Sequence, residues 1–275
     1  MNIRLIALDL DGTTLDSQGA LRPRVRAAVA KAHTAGIQVV VCTGRRFRTA
    51  QPWARALGVN LPVVCLNGTL VKDAETGQTK RCQALPADLY REGLGLMRRV
   101  GAPLVYLDGV EHDFLYEPLD RVHAYQAAYL RDHSEFAHQV SSLDAYPEGG
   151  NVVAMSCMAD KPSLIALREQ LESQLGREAG THLIQNKNYE GSILELASAG
   201  AGKWAGLSWI CEKEGISAAE VLAIGDDLND EEMIRRAGMG VAVGNAIEAV
   251  LAAADAVVAT NDEEGVAHAI ERFAL

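Results

Sequence analysis

The sequence predicts an α/β fold: a parallel-sheet core domain interrupted by an inserted segment of α+β character. Three observations carry this expectation. Residues 3–66 alternate strand, helix, strand, helix, strand with short connections, the pattern of a parallel sheet with crossover helices. The same alternation returns after about residue 190 and runs to the end of the chain. Between them the order of elements changes character, with strands and helices in an irregular sequence. The expected division is a core of residues 1–83 and 189–275 and an insertion of residues 84–188.

The elements follow in order. Ile3 to Leu8 is an apolar run suited to a strand buried on both faces. Val25, Ala28, Val29 and Ala32 recur at helical spacing, and Gly36 closes that helix. Ile37 to Cys42 is a second buried strand, Arg46 to Leu57 a helix, and Pro62 to Leu66 a third strand. Leu70–Lys72 and Gln78–Cys82 flank a loop containing Gly77 and read as a hairpin. In the insertion, helices are expected at 87–100, 119–131 and 163–175, and strands at 104–107, 113–116, 151–158 and 181–185; the polar stretch 132–151 reads as loop. The core is expected to resume with the apolar run Ile193-Leu194-Glu195-Leu196, followed by Gly202-Lys203, a helix to about Glu214 and strands at 221–224, 240–243 and 256–259. Helices follow the last two Asp-rich and Gly-rich turns, ending at Phe273.

Composition narrows the function. The 275 residues are 48% hydrophobic and 23% charged, so the chain can bury a sizeable core. A net charge of −10 with no basic run argues against nucleic acid or an anionic membrane as main partner. It also requires that a phosphorylated ligand be held by local cations. No apolar stretch reaches membrane-span length, and Asp9 and Asp11 interrupt the first apolar run too early for a signal peptide. Five scattered cysteines without CxxC spacing read as free thiols in a reducing, cytoplasmic setting.

Four strand ends carry polar clusters. The first supplies Asp9 and Asp11, two residues apart and able to face one side, with Gly12 turning the chain and Thr13 able to donate hydrogen bonds. The second supplies Thr43 and the Gly44 backbone N–H, the third Asn67 and Gly68, and the fourth Asp226, Asp227, Asn229 and Asp230. Lys203 follows Gly200-Ala201-Gly202 at a helix start. In a parallel sheet these ends share one edge, where open α/β sheets place ligand chemistry. Asp9 and Asp226 can share a Mg²⁺ ion. That ion, Lys203 and Thr43 can neutralise phosphoryl oxygens, one carboxylate can attack phosphorus, and a second can serve as acid and base.

Asp9-Leu10-Asp11-Gly12-Thr13, Thr43-Gly44-Arg45, Lys203 and Gly225-Asp226-Asp227-Leu228-Asn229-Asp230 together resemble the four motifs of the haloacid dehalogenase-like (HAD) superfamily. The late lysine, the Asn229-Asp230 pair and the large insertion resemble its Cof-like subgroup. The resemblance implies a Rossmann-like core with a type IIB cap, and a Mg²⁺-dependent phosphatase acting on small phosphomonoesters such as sugar phosphates. It implies Asp9 as nucleophile and Asp11 as general acid/base. Thr43, Gly44, Lys203 and Asn229 would hold the phosphoryl group, and Asp9, Asp11 (through its carbonyl), Asp226 and Asp230 would surround the metal, Asp230 directly, through water or by orienting Lys203. The departures are Asp227, where many members have Gly, and Thr69, where Ala is common. Asp227 is expected to face solvent or to stand behind the metal ligands.

The cap is expected to close over the site and select the substrate, with His112, Asp113, His133, His138, Lys187 and Tyr189 as polar candidates. An aromatic content of 5% offers no stacking platform for a large base. Partners are expected to be small phosphorylated metabolites, with the protein a monomer or homodimer. Two other readings stay open from the sequence: a phosphomutase or phosphotransferase on the same scaffold, and a non-catalytic phosphate-binding or receiver-like protein.

Overall fold

A computed structural model describes residues 2–109, 113–118, 123–145, 152–185 and 191–275. The chain forms two compact units, residues 1–81 with 202–275, and residues 82–201.

The first unit is built on a parallel sheet. Its elements are β1 (Leu5–Leu8), α1 (Pro23–Thr34), β2 (Gln38–Val41), α2 (Phe47–Ala56), β3 (Val63–Cys65), β4 (Leu70–Lys72) and β5 (Thr79–Cys82). The second unit contributes α3 (Ala87–Met97), β6 (Leu104–Leu107), β7 (Phe114–Tyr116), α4 (Ala124–Asp132), β8 (Ala137–Gln139), β9 (Val152–Ala159), α5 (Lys161–Leu175), β10 (Ala179–Gln185) and β11 (Ser192–Ser198). The chain then re-enters the first unit through α6 (Lys203–Glu214), β12 (Val221–Gly225), α7 (Glu231–Arg236), β13 (Met239–Ala242), α8 (Glu248–Ala253), β14 (Ala256–Val257) and α9 (Gly265–Phe273).

The core sheet runs β14-β13-β12-β1-β2, all parallel. From β1 the chain proceeds to β2 on one side, and on its return it occupies β12, β13 and β14 on the other. The strand order therefore reverses between β1 and β12, and the crevice beyond such a reversal is where α/β sheets bind ligands. Leu5, Ile6, Ala7 and Leu8 of β1 are all fully buried, which a central strand covered on both faces demands. The third strand differs from the sequence expectation. β3 touches the core sheet through one parallel bridge, Cys42 to Val64, and otherwise pairs antiparallel with β4 in a β3-β4-β5 sheet. Helix α1 starts with Pro at its first turn, where no amide donor is lost, and buries Val25, Ala28, Val29 and Ala32, the four positions read from the spacing.

The second unit carries a six-stranded sheet ordered β10-β11-β9-β6-β7-β8, antiparallel except for β7 with β8. One face supplies Val105, Met155, Cys157, Leu194 and Leu196 to a core shared with Leu89 and Leu94 of α3 and Leu164, Leu167 and Leu171 of α5. Two expectations are corrected here. Residues 192–198 do not begin the return to the first sheet. They lie hydrogen-bonded between β9 and β10, so the chain re-enters the first unit at 202 rather than 189. The apolar run Ile193-Leu194-Glu195-Leu196 had the hydrophobicity of a core strand, but hydrophobicity does not identify the sheet that a strand joins. Within the stretch read as loop, Ala137–Gln139 forms the edge strand β8, whose short polar sequence carries no alternation to announce it.

Candidate active site

Register brings the predicted clusters together at the switch point. Leu8 is opposite Ile224, and the Asp9 amide continues the ladder by donating to the Ile224 carbonyl at 3.1 Å. Asp9 therefore leaves the sheet beside Asp226. On the other side Cys42 N–H donates to Leu8, and Thr43 N–H to Val64, which puts Thr43 at the same edge.

Lys203 is the centre of the cluster. Its Nζ donates to Asp9 Oδ1 at 2.7 Å and to Asp230 Oδ1 at 2.6 Å, with the ammonium almost wholly buried. A lysine on the first turn of α6 opposes the helix dipole, so the carboxylates, rather than helix stability, account for its placement. Burial works against its charge, yet Asp230 and Asp9 outweigh burial and hold Lys203 firmly protonated. Burial pushes the Asp9 carboxyl up to about 7; Lys203 pulls it down, while Asp230 and Asp11 add to the rise. Asp230 is raised by burial too, against the pull of Lys203.

The second oxygen of Asp230 is engaged as well. Its Oδ2 accepts from the amides of Asp226 and Asp227, each at 3.1 Å. Gly225 makes this possible, because a Cβ there would meet the Asp230 side chain at 2.5 Å. Asp227 is the N-cap of the 3₁₀ turn Leu228–Asp230, its carboxylate accepting from the Leu228 amide at 2.7 Å. Thr13 Oγ1 donates to Asp226 Oδ1 at 2.7 Å, and Thr14 Oγ1 to the Asp9 carbonyl. Gly12, at φ +82°, takes the left-handed turn that follows the paired carboxylates.

Asp9, Asp226 and Asp230 each offer an oxygen within 4.8 Å of the others, and all three are buried. When ionised they outnumber the single Lys203 ammonium by two charges. A hard divalent cation is the species that such a set of oxygen donors neutralises, so the residues fit Mg²⁺. Among the described residues no other group of three or more His, Cys, Asp or Glu meets this geometry. The Asp11 carboxylate is outside it, paired with Arg45.

Other expected residues are placed as follows. Thr43 is buried and its Oγ1 accepts from the Arg45 amide at 3.1 Å, which leaves the hydroxyl hydrogen to be donated elsewhere. Asn229 Nδ2 donates to Asn67 Oδ1 at 2.9 Å. Leu66 and Asn67 are both left-handed, at φ 45° and 51°, a strained pair without glycine of the kind that clusters at functional sites. Asn67 is fully buried, and its Oδ1 lies 3.0 Å from where a Gly44 Cβ would be. The sequence did not reveal the Arg45 pairing with Asp11, the support of Asn229 by Asn67, or the Asn245 amide donating to the Gly12 carbonyl at 2.8 Å. Arg45 follows Thr43 and Gly44 directly, which is the only signal the sequence held for it. Of the polar candidates in the second unit, His112, Lys187 and Tyr189 lie outside the described residues. Asp113 is buried; His133 packs its ring 4.3 Å from that of Tyr129, and His138 is exposed on β8.

Residues 6–270 match the family model described as haloacid dehalogenase-like hydrolase. The chain belongs to this family, and its class is that of the phosphoric monoester hydrolases. It is 29% identical over 283 residues to pyridoxal phosphate phosphatase YbhA of Escherichia coli, covering 98% of each chain. A haloacid dehalogenase-like hydrolase from Bacteroides thetaiotaomicron superposes with a TM-score of 0.80 at 29% identity, covering 98% of this chain and 99% of that one. The HAD subclass IIB sugar phosphatase BT4131 has the same fold, with a TM-score of 0.77 at 22% identity over 98% of each chain. The α/β core with an inserted α+β unit is thus the subclass IIB architecture expected from the sequence. The five cysteines are free thiols, and among the described residues no helix is long and apolar enough to cross a membrane.

Proposed function

We propose that this hydrolase is a Mg²⁺-dependent phosphatase of small phosphomonoesters that works through an aspartyl-phosphate on Asp9. The observation that carries this reading is the Lys203 ammonium held between Asp9 and Asp230 with Asp226 beside them. Asp9 attacks phosphorus, the bond to the leaving oxygen breaks, and Asp11 gives that oxygen a proton. Asp11 then takes a proton from water as the water attacks phosphorus and the bond from Asp9 to phosphorus breaks, releasing phosphate and the Asp9 carboxylate. Lys203, the Thr43 hydroxyl, the Gly44 amide and Asn229 hold the phosphoryl oxygens as charge shifts among them. Mg²⁺, held by Asp9, Asp226 and the Asp11 carbonyl, would supply charge neutralisation at the same oxygens. Asp230, with both oxygens engaged, serves by orienting Lys203 and the 225–227 turn. The likeness to a pyridoxal phosphate phosphatase supports a small phosphorylated metabolite as substrate. The free thiols suit a cytoplasmic setting.

The test is phosphate release from a panel of sugar phosphates, pyridoxal phosphate and an aryl phosphate, with Mg²⁺ or EDTA, beside Asp9→Asn. Release that requires Mg²⁺ and vanishes in the variant is expected. Turnover by Asp9→Asn at the wild-type rate, or equal rates in EDTA, refutes the mechanism.

A further inference from the structure

The Asp11 carboxylate is gripped by a guanidinium fork. Arg45 Nε donates to Oδ2 at 2.7 Å and Nη2 to Oδ1 at 2.5 Å. The third nitrogen, Nη1, donates to the Thr49 carbonyl at 3.3 Å in the first turn of α2, and the Arg45 amide donates to Thr43 Oγ1. Arg45 is therefore fixed to the strand end that carries Thr43 and to the helix that follows, and two parallel hydrogen bonds fix Asp11 to Arg45. Such a bidentate pair sets orientation as well as distance.

The need for it is electrostatic. Asp9, Asp226 and Asp230 are buried, whereas the Asp11 side chain is 41% exposed. Asp9 and Asp11 repel one another, and in a chain of net charge −10 a cation beside Asp11 offsets that repulsion. Arg45, 23% exposed at its side chain, supplies such a charge.

We propose that Arg45 is the positioning residue for the acid/base carboxylate of Asp11. It keeps the carboxylate at the mouth of the site in one orientation and yields one of its two hydrogen bonds while Asp11 exchanges a proton with the leaving oxygen. The inference rests on the phosphatase reading above. In the first step the bond from Asp9 to phosphorus forms and the ester P–O bond breaks. The electron pair stays on the leaving oxygen, which takes the proton from Asp11. An alkoxide needs that proton; a 4-nitrophenolate does not.

The experiment compares kcat/KM for an alkyl phosphate and for 4-nitrophenyl phosphate, both with Mg²⁺, in wild type, Arg45→Met, Arg45→Lys, Asp11→Asn and the double variant Asp11→Asn/Arg45→Met. This ratio reads steps up to P–O cleavage and not the later hydrolysis of the enzyme phosphate. Arg45→Met is expected to lose about 10- to 100-fold on the alkyl ester, the weight of charge-assisted hydrogen bonds to a placed group, and at least about ten-fold less on the aryl ester. Arg45→Lys, which keeps the charge but not the fork, falls between. In the Asp11→Asn background, Arg45→Met changes the alkyl-to-aryl ratio no further. Equal losses on both esters, no loss on either, or an added change in the double variant overturns the inference. Circular dichroism of each variant separates loss of fold, which would depress both esters alike. Wild-type turnover that survives Asp9→Asn overturns the mechanism itself, a result distinct from a leaving-group ratio that ignores Arg45.

Discussion

Asp9→Asn is predicted to make the metal-free protein more stable at pH 8 while abolishing turnover. The substitution keeps the volume and the acceptor for Lys203 but removes one buried charge. Asp9 is 4% exposed, and burial raises its carboxyl to about 7, against about 4 for an aspartate in an unfolded chain. An acid with a raised value in the folded state binds its proton more tightly there. Below about pH 4 both states are protonated and the carboxyl imposes no penalty. Between about pH 4 and 7 the unfolded chain ionises first, and stability falls with rising pH; above about 7 the loss is complete. About three pH units at about 1.4 kcal/mol each set a ceiling of about 4 kcal/mol.

The gain from Asp9→Asn is therefore near zero at pH 4 and reaches about 1–4 kcal/mol at pH 8. For a chain of this size that corresponds to a rise in melting temperature of up to about 10 °C. The assay is thermal melting in EDTA at pH 4 and pH 8, with phosphate release measured alongside. A variant no more stable than wild type at pH 8, or a gain equal at both pH values, refutes the electrostatic account of the site.

Further outcomes follow from the same contacts. Mg²⁺ is expected to raise the melting temperature of wild type, by the equivalent of about 2.7 kcal/mol at a hundredfold excess over its Kd, with EDTA reversing the shift and Asp226→Ala abolishing it. Gly225→Ala places a Cβ 2.5 Å from the Asp230 side chain; it is expected to destabilise by about 1–3 kcal/mol and to lower kcat by displacing Lys203, measured by melting and steady-state kinetics. Asn245→Ala removes the donor to the Gly12 carbonyl and is expected to lower stability by about 1 kcal/mol and kcat several-fold, with the far-UV spectrum unchanged. Tyr90→Phe removes a buried bond of 2.6 Å to the Leu143 carbonyl in the second unit; a loss of about 1–3 kcal/mol is expected in chemical denaturation.

What could be read from the sequence was what local chemistry dictates. Asp9, Thr43 and Asp226 lie where apolar strands end, and the end of a buried strand can be read from hydrophobicity alone. Parallel crossover connections then bring those ends to one edge, so four separated motifs become one site without any knowledge of side-chain contacts. Lys203 was legible less directly: at a helix start after Gly200-Ala201-Gly202 its ammonium can reach the same edge, and it gained meaning only beside the other clusters. The extent of the insertion was less legible, because β11 has the composition of either sheet and only its pairing with β9 and β10 assigns it.

The contacts that escaped are side chain to side chain across long sequence separations. The Arg45 fork on Asp11 spans 34 residues, and the Asn67–Asn229 pair spans 162. No periodicity encodes such pairs, since each depends on rotamers chosen after the sheet has formed. Asp230 illustrates the consequence. Its sequence position makes it an equal candidate for metal ligand or lysine partner, and the choice turns on what already occupies its oxygens. With Oδ1 on Lys203 and Oδ2 on two amides, three of its four lone-pair sites are taken, and a cation at Oδ1 would share that oxygen with the Lys203 ammonium. Asp226 Oδ1 accepts from a neutral threonine hydroxyl, a weaker bond to displace than one from an ammonium. On the function proposed above, the hydrogen bonds each acid would have to surrender favour Asp226 as the metal ligand and Asp230 as the lysine clamp.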